Sequence, residues 1–262
     1  MDQHALIAVP YAALGLLVGL LVGLTGVGGG SLMTPLLILL FGIHPVTAVG
    51  TDLLFAAATK SLGTFINGLG KAIEWRVVGL LAAGSLPATA LTLFVVSNLD
   101  QRNPVAGHFI RIVLVGCMLL TAATLLARKQ VMAFVEARPT AVGPQRTTLL
   151  TIVTGACLGV LVSLTSIGAG ALGIVALLVL YPRLKLPRLI GSDIAHAVPL
   201  TLLAGIGHWI LGSVDWVLLR SLLAGSLPGI VVGCYAAPRV PELVLRVVLA
   251  FTLIAVAAQM VF

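Results

Sequence analysis

The chain has 262 residues and a formal charge of +7, yet it is 60% hydrophobic and only 9% charged, with a mean hydropathy of +1.18. A soluble domain is about 25% charged, so no water-soluble fold of this size could cover itself with this composition. The sequence pI of 9.9 does not indicate nucleic acid, because the Lys and Arg fall in short loops between apolar runs and not on one face, a pattern that reports orientation in a bilayer.

The first apolar run, residues 5–24, matches the ~20 residues needed to cross a ~30 Å hydrocarbon core. Asp2 precedes it where a signal peptide would carry cations, and no small-residue cleavage site follows, so the run is expected to be retained. After a glycine break at 26–30 come a short segment at 31–41 and longer ones at 46–67, 75–96 and 108–127. The same order returns with 147–164, a break at 166–170, a short segment at 171–181, and longer ones at 189–211, 216–235 and 243–262. The short segments, at about eleven residues, suit half of a re-entrant hairpin better than a full span. Cys117, Cys157 and Cys234 lie inside apolar runs, are odd in number and show no paired spacing, which argues against a disulfide framework or a zinc site.

The return is an internal repeat at an offset of 140 or 141 positions. GLLVGLTGVGGGSL beginning at Gly19 aligns with GVLVSLTSIGAGAL beginning at Gly159, so Thr25, Gly28 and Gly30 fall on Thr165, Gly168 and Gly170. Gly50-Thr51-Asp52 falls on Gly191-Ser192-Asp193, and LAAGSLP ending at Pro87 on LLAGSLP ending at Pro228. The organisation is therefore a first repeat at 1–127, a connector at 128–146 and a second repeat at 147–262. With the connector's Arg128, Lys129, Arg138 and Arg146 in the cytoplasm, most other cations fall on that side and both termini face outward. Each half then crosses an odd number of times, giving the halves opposite topology. The expected fold is an all-α polytopic membrane protein of two inverted repeats, each a Gly-broken helical hairpin followed by three transmembrane helices.

Several residues stand out chemically. A bare backbone break in hydrocarbon must be buried in protein or face water. Ahead of a helix, its free amides and the positive end of the helix dipole form an anion site, which singles out Gly28, Gly29, Gly30 and Ser31, with Gly168 and Gly170 in the second half. The same glycines would also serve close helix packing. Lys60 lies well inside an apolar segment, where a lysine costs about 2.5–3.5 kcal/mol. It is read as an anion-contacting ammonium, with snorkelling to the interface as the other reading. In the second half Thr201 takes its position, while His196, His208 and Pro199 appear. Asp193 and His196, three apart on one helical face, could share a hydrogen bond and carry a coupled proton, or simply hold a broken helix together. Asp52 and Asp193 could also cap the segments after Gly50 and Gly191. Thr25, Thr51, Thr165, Ser192 and Asn67 are candidate donors to oxyanion oxygens, although hydroxyls often bond their own helix backbone. Trp75 and Trp216 begin matching segments and read as interfacial anchors.

GLTGVGGGSLMTPLL near the start, GTDLLFAAATK in the third segment and GSVDWVLLRSLLAGSLPG in the second half resemble the TauE/SafE family of sulfite exporters, also called the toluene sulfonate uptake permease family. The resemblance covers nearly the whole chain. It implies about eight spans, a cell (inner) membrane location and movement of sulfite, organosulfonates or related anions, with export taken from the family's name. The expected partners are a small anion and the lipid bilayer, with a coupling proton or sodium ion left open. No nucleic acid, cofactor or metal is expected, and the sequence leaves the oligomeric state undecided. Two rivals are a passive anion channel of the same fold and an intramembrane enzyme. The enzyme is disfavoured because the sequence holds no metal-ligand cluster such as HExxH and no Ser-His-Asp arrangement.

Overall fold

The computed structural model describes residues 8–25, 30–66, 73–98, 104–137, 143–168, 170–236 and 242–261. Every regular element among them is a helix. The first half holds α1 (Val9–Thr25), α2 (Gly30–Phe41), α3 (Pro45–Ile66), α4 (Trp75–Asn98) and α5 (Pro104–Ala137). The second holds α6 (Pro144–Thr165), α7 (Ala171–Leu180), α8 (Leu186–Ile210), α9 (Trp216–Ala236) and α10 (Glu242–Val261). These elements follow the segments read from the sequence, with one clear extension. α5 continues to Ala137, beyond the apolar run that stops at 127, because residues 128–137 contain no Gly or Pro to end a helix. Helices α6 and α8 each open with a proline in the first turn, where the missing N–H would have had no partner.

Among the described residues, Trp75–Asn98, Pro144–Thr165, Leu186–Ile210 and Trp216–Gly233 are long and apolar enough to cross a membrane. The 12 residues of α2 and 10 of α7 extend only ~18 and ~15 Å at 1.5 Å per residue. Neither crosses a ~30 Å core alone. Large apolar side chains including Leu16, Leu91, Phe94, Leu120, Val232 and Phe251 point outward. In water each would forgo roughly 1.5–3 kcal/mol of burial, whereas lipid accepts them at no such cost. This is the surface of a multi-pass membrane protein.

The halves are interleaved and not side by side. Helix α1 lies along α9 of the other half, α4 along α6, α3 against α8, and α5 against α10. The reciprocity holds residue by residue: Gly15 meets the Leu222 carbonyl, and its repeat partner Gly155 meets the Leu81 carbonyl. Gly19 on Ser226 is matched in the same way by Gly159 on Ser85. A methyl at any of these glycines would run into backbone, so the small residues permit the close approach. Sequence numbers rise together along α1 and α9. Between α3 and α8 they run oppositely, with Gly50 on His208 and Gly205 on Leu54, so those two helices are antiparallel.

Two hydroxyls fasten the halves across this seam. Ser192 Oγ accepts the Glu74 amide N–H at 2.9 Å, and its repeat partner Thr51 Oγ1 accepts the Asp215 amide N–H at 3.1 Å. Asp215 in turn caps α9 by accepting from the Val217 and Leu218 amides, the N-cap chemistry expected of a short carboxylate. Arg188 and Glu74 form an ion pair beside the Ser192 link.

Candidate functional site: a buried charged cluster between α3 and α8

Helices α3 and α8 bring Asp52, Lys60, Asp193 and His196 into the protein interior, and all four are buried. Lys60 keeps 4% of its surface, so snorkelling to water does not describe its position. The ammonium lies within electrostatic reach of Asp52, Asp193 and His196. A small apolar cluster of Val49 and Leu53 from α3, Ala197, Leu200 and Ala204 from α8, and Val162 from α6 packs these helices together. Burying an ion costs several kcal/mol even after relaxation, and attraction offsets that only when the remaining lone pairs and protons find partners.

The two aspartates differ in whether they find them. Both lie about two turns inside their helices, which start at Pro45 and Leu186, so neither caps its own segment as the sequence suggested. Asp52 reaches instead into the first turns of α2, where its Oδ2 accepts from the Thr34 amide at 3.1 Å and the Thr34 hydroxyl at 2.6 Å. Ser166 approaches the same carboxylate without closing a hydrogen bond. Asp193 reaches the first turn of α7 at Gly173, where any Cβ would strike its Oδ1. The repeat partners of Gly173 and Ile174 are Met33 and Thr34, so in the second half the threonine donor is missing. Neither Asp193 oxygen has a hydrogen-bond partner.

The histidines bond elsewhere. The anticipated Asp193–His196 hydrogen bond is not formed, because His196 Nε2 pairs with Ser85 Oγ of α4 at 2.8 Å and Nδ1 has no partner. His208 Nε2 lies 2.9 Å from the Ser163 carbonyl. A carbonyl only accepts, so Nε2 carries the proton. The Ser163 carbonyl sits in the last turn of α6, where helix geometry leaves it no amide, and His208 fills that place.

The second glycine break has the irregular backbone that its sequence implies. Ser166 (φ 57), Gly168 (φ 118) and Gly170 (φ 124) all take positive φ, a region that suits glycine. Thr165 Oγ1 is engaged in holding this break, donating to the Leu161 carbonyl at 2.6 Å and accepting from the Ile167 amide at 3.1 Å. The amides of Leu172 and Gly173 turn back onto the Gly168 carbonyl. Gly28, Gly29 and Asn67 lie outside the described residues, as do the side chains of Thr25 and Ser31, while Gly30 opens α2.

The structure thus gathers Asp52, Lys60, Asp193 and His196, sets His208 farther along α8, and places Thr51 and Ser192 at the seam between halves. Thr201, the counterpart of Lys60, bonds its own helix at the Ala197 carbonyl. Thr34, Ser85, Ser163, Ser166 and Gly173 belong to the polar interior and were not singled out from sequence. The repeat alignment held one signal, the exchange of Met33-Thr34 for Gly173-Ile174. Elsewhere a cavity of about 350 Å³, lined by Arg76, Thr147, Tyr181 and Arg183 among others, opens where α4, α6 and α7 have their ends.

The described residues form an all-helical, multi-pass membrane architecture with interleaved halves and a buried charged centre, the class of protein to which membrane transporters belong. Residues 11–260 match the family described as Sulfite exporter TauE/SafE, and the chain belongs to that family. It is 38% identical over 240 residues to the probable membrane transporter protein YjnA of Bacillus subtilis (strain 168), covering 88% of this chain and 91% of that protein. The probable membrane transporter protein YdhB of the same organism is 28% identical over 236 residues, covering 88% and 90%. A third, YunE, is 30% identical over 108 residues, covering 41% and 40%. No solved structure matches the chain.

Proposed function

We propose that the protein is a secondary transporter of a small sulfur-containing oxyanion, sulfite or an organosulfonate, in the cell membrane. The observation that carries this reading is Lys60, a buried ammonium on α3 facing α8, where the equivalent helices of the two halves cross. An ammonium desolvated in this way binds an oxyanion far more strongly than one in water. The break before α7 adds a helix N-terminus, although its Leu172 and Gly173 amides already bond the Gly168 carbonyl, and the break before α2 is its repeat counterpart. His196 supplies a polar group beside the ammonium. The substrate and the outward direction follow the family's description.

Alternating access follows from the same plan. Antiparallel α3 and α8 with parallel α1 and α9 favour inverted repeats, which supply two related gates on opposite sides of one site. The test is a screen of purified protein against sulfite, sulfate, thiosulfate and methanesulfonate, read as thermal stabilisation. Sulfite or methanesulfonate should raise the melting temperature in a saturable way. Equal, unsaturable responses to all four would reject a specific oxyanion site.

A further inference from the structure

Asp52 and Asp193 occupy equivalent positions in the repeat, but only one is held by donors. Asp52 accepts two hydrogen bonds from Thr34 through Oδ2, leaving only Oδ1 without a partner. Asp193 is fully buried with both oxygens unpartnered. Helix α7, directly over it, has no titratable residue. Among the described residues, the titratable and charged groups facing this region include Lys60 and Asp52 from α3 and, on α8 itself, His196 and the more distant His208; α4 contributes the Ser85 hydroxyl, α6 the Ser163 carbonyl, and the turn after α6 the Ser166 hydroxyl.

Counting charge makes the consequence plain. With both carboxylates and the ammonium ionised and the histidines neutral, the cluster is −1. A monovalent oxyanion would take it to −2 inside a low dielectric, where like charges repel strongly. One proton restores −1, the same value as in the empty site. We propose that Asp193 is the proton site of a proton-coupled anion carrier, taking one proton for each monovalent anion that engages Lys60. This rests on the transporter reading above. In the empty protein the Asp193 carboxylate balances the ammonium. An entering anion competes for that ammonium, and the displaced carboxylate, lacking any hydrogen-bond donor, takes a proton from the water that admitted the anion. Anion and proton leave together on the far side, the proton returning to water there. Export would then run against an inward proton gradient and be driven by the anion's own outward gradient.

The test uses the full chain in vesicles with an entrapped pH dye, and methanesulfonate, benzenesulfonate and sulfite as probes. The first two are monovalent and do not titrate near neutral pH. Inward anion flux by the wild type should acidify the lumen. Asp193→Asn should lower the flux, and the flux that remains should carry no protons. Asp193→Glu, which keeps a carboxyl if the amide variant fails to insert, should still acidify. Anion flux without acidification, flux driven by a sodium gradient, or acidification by Asp193→Asn would overturn the proposal. An infrared titration in membranes reads the site without any flux: a protonated-carboxyl stretching band should titrate in the wild type and be missing from Asp193→Asn. A band that Asp193→Asn leaves in place would refute the assignment. If none of the three anions moves while the Asp193 band titrates, the transport reading fails and the proton site stands.

Discussion

The two halves of the molecule share a backbone plan and differ in their charges. In the first, α3 carries Lys60 and an aspartate held by Thr34. In the second, α8 carries Thr201 at the lysine's position, a histidine at 196 where the first half has Phe55, and an aspartate with no partner. Where the halves carry the same glycine, at Gly15 and Gly155, or the same hydroxyl, at Thr51 and Ser192, the residues hold the structure together. Several of their polar differences, Lys60 for Thr201, Phe55 for His196 and Thr34 for Ile174, converge on one buried cluster. Symmetry builds the frame, and its local failure builds that cluster.

That division can be broken most sharply at the point of greatest divergence. Lys60→Met keeps most of the stem's bulk and removes the charge, so sulfite affinity should fall about a hundredfold or more while the protein still inserts. Titration calorimetry on the purified variant measures it, and Lys60→Arg should recover affinity only in part because its planar fork differs from a point charge. Unchanged affinity in a well-folded Lys60→Met variant would remove the lysine from the site.

The shared frame predicts a different response. Gly155→Val would force its side chain into the Leu81 carbonyl and should cost roughly 2 kcal/mol of stability through overpacking. The sulfite affinity of the folded fraction should stay near the wild-type value. Gly79, with no atoms near its missing Cβ, is the control, and Gly79→Ala should be neutral or slightly stabilising by helix propensity. Melting curves and affinities taken on the same samples separate frame from site.

A smaller effect is expected at the second break. Gly168→Ala places a side chain at φ 118 and 3.3 Å from Leu172 Cδ1, and should cost about 1–2 kcal/mol. If the break cradles the anion, affinity falls as well as stability; a loss of stability alone would leave Gly168 as a hinge for packing. Smallest of all, Thr34→Val takes one of two donors from Asp52 and should lower stability by about 1 kcal/mol. It would bring Asp52 closer to the condition of Asp193, so a variant with no stability change would mean that the Thr34 hydroxyl contributes nothing to the difference between the halves.

Much of the fold was legible because the repeat placed the same signals twice, and apolar run lengths located the helices to within a few residues. The end of α5 was not, since Arg128, Lys129 and Gln130 interrupt the apolar run without any residue that stops a helix. Nor was the interleaving of α1 with α9 and α4 with α6, which depends on glycines meeting carbonyls of a distant segment. In the cluster, Lys60 and Asp193 were visible because ionisable groups are rare and costly in an apolar run. Thr34, Ser85 and Ser163 were not, because hydroxyls are common in such helices and usually bond their own backbone. For the same reason the sequence could not show that Thr51 and Ser192 tie the halves together.

The central claim is that a sulfur oxyanion passes through a saturable site containing Lys60, and sulfite counterflow tests it most directly. Vesicles holding the wild-type protein and preloaded with unlabelled sulfite should transiently concentrate labelled sulfite above the outside level, as only a carrier with a reorienting site can do. Lys60→Met vesicles, matched for protein content, should show no overshoot. Simple equilibration in the wild type would point to a channel, and an undiminished overshoot in Lys60→Met would contradict the account.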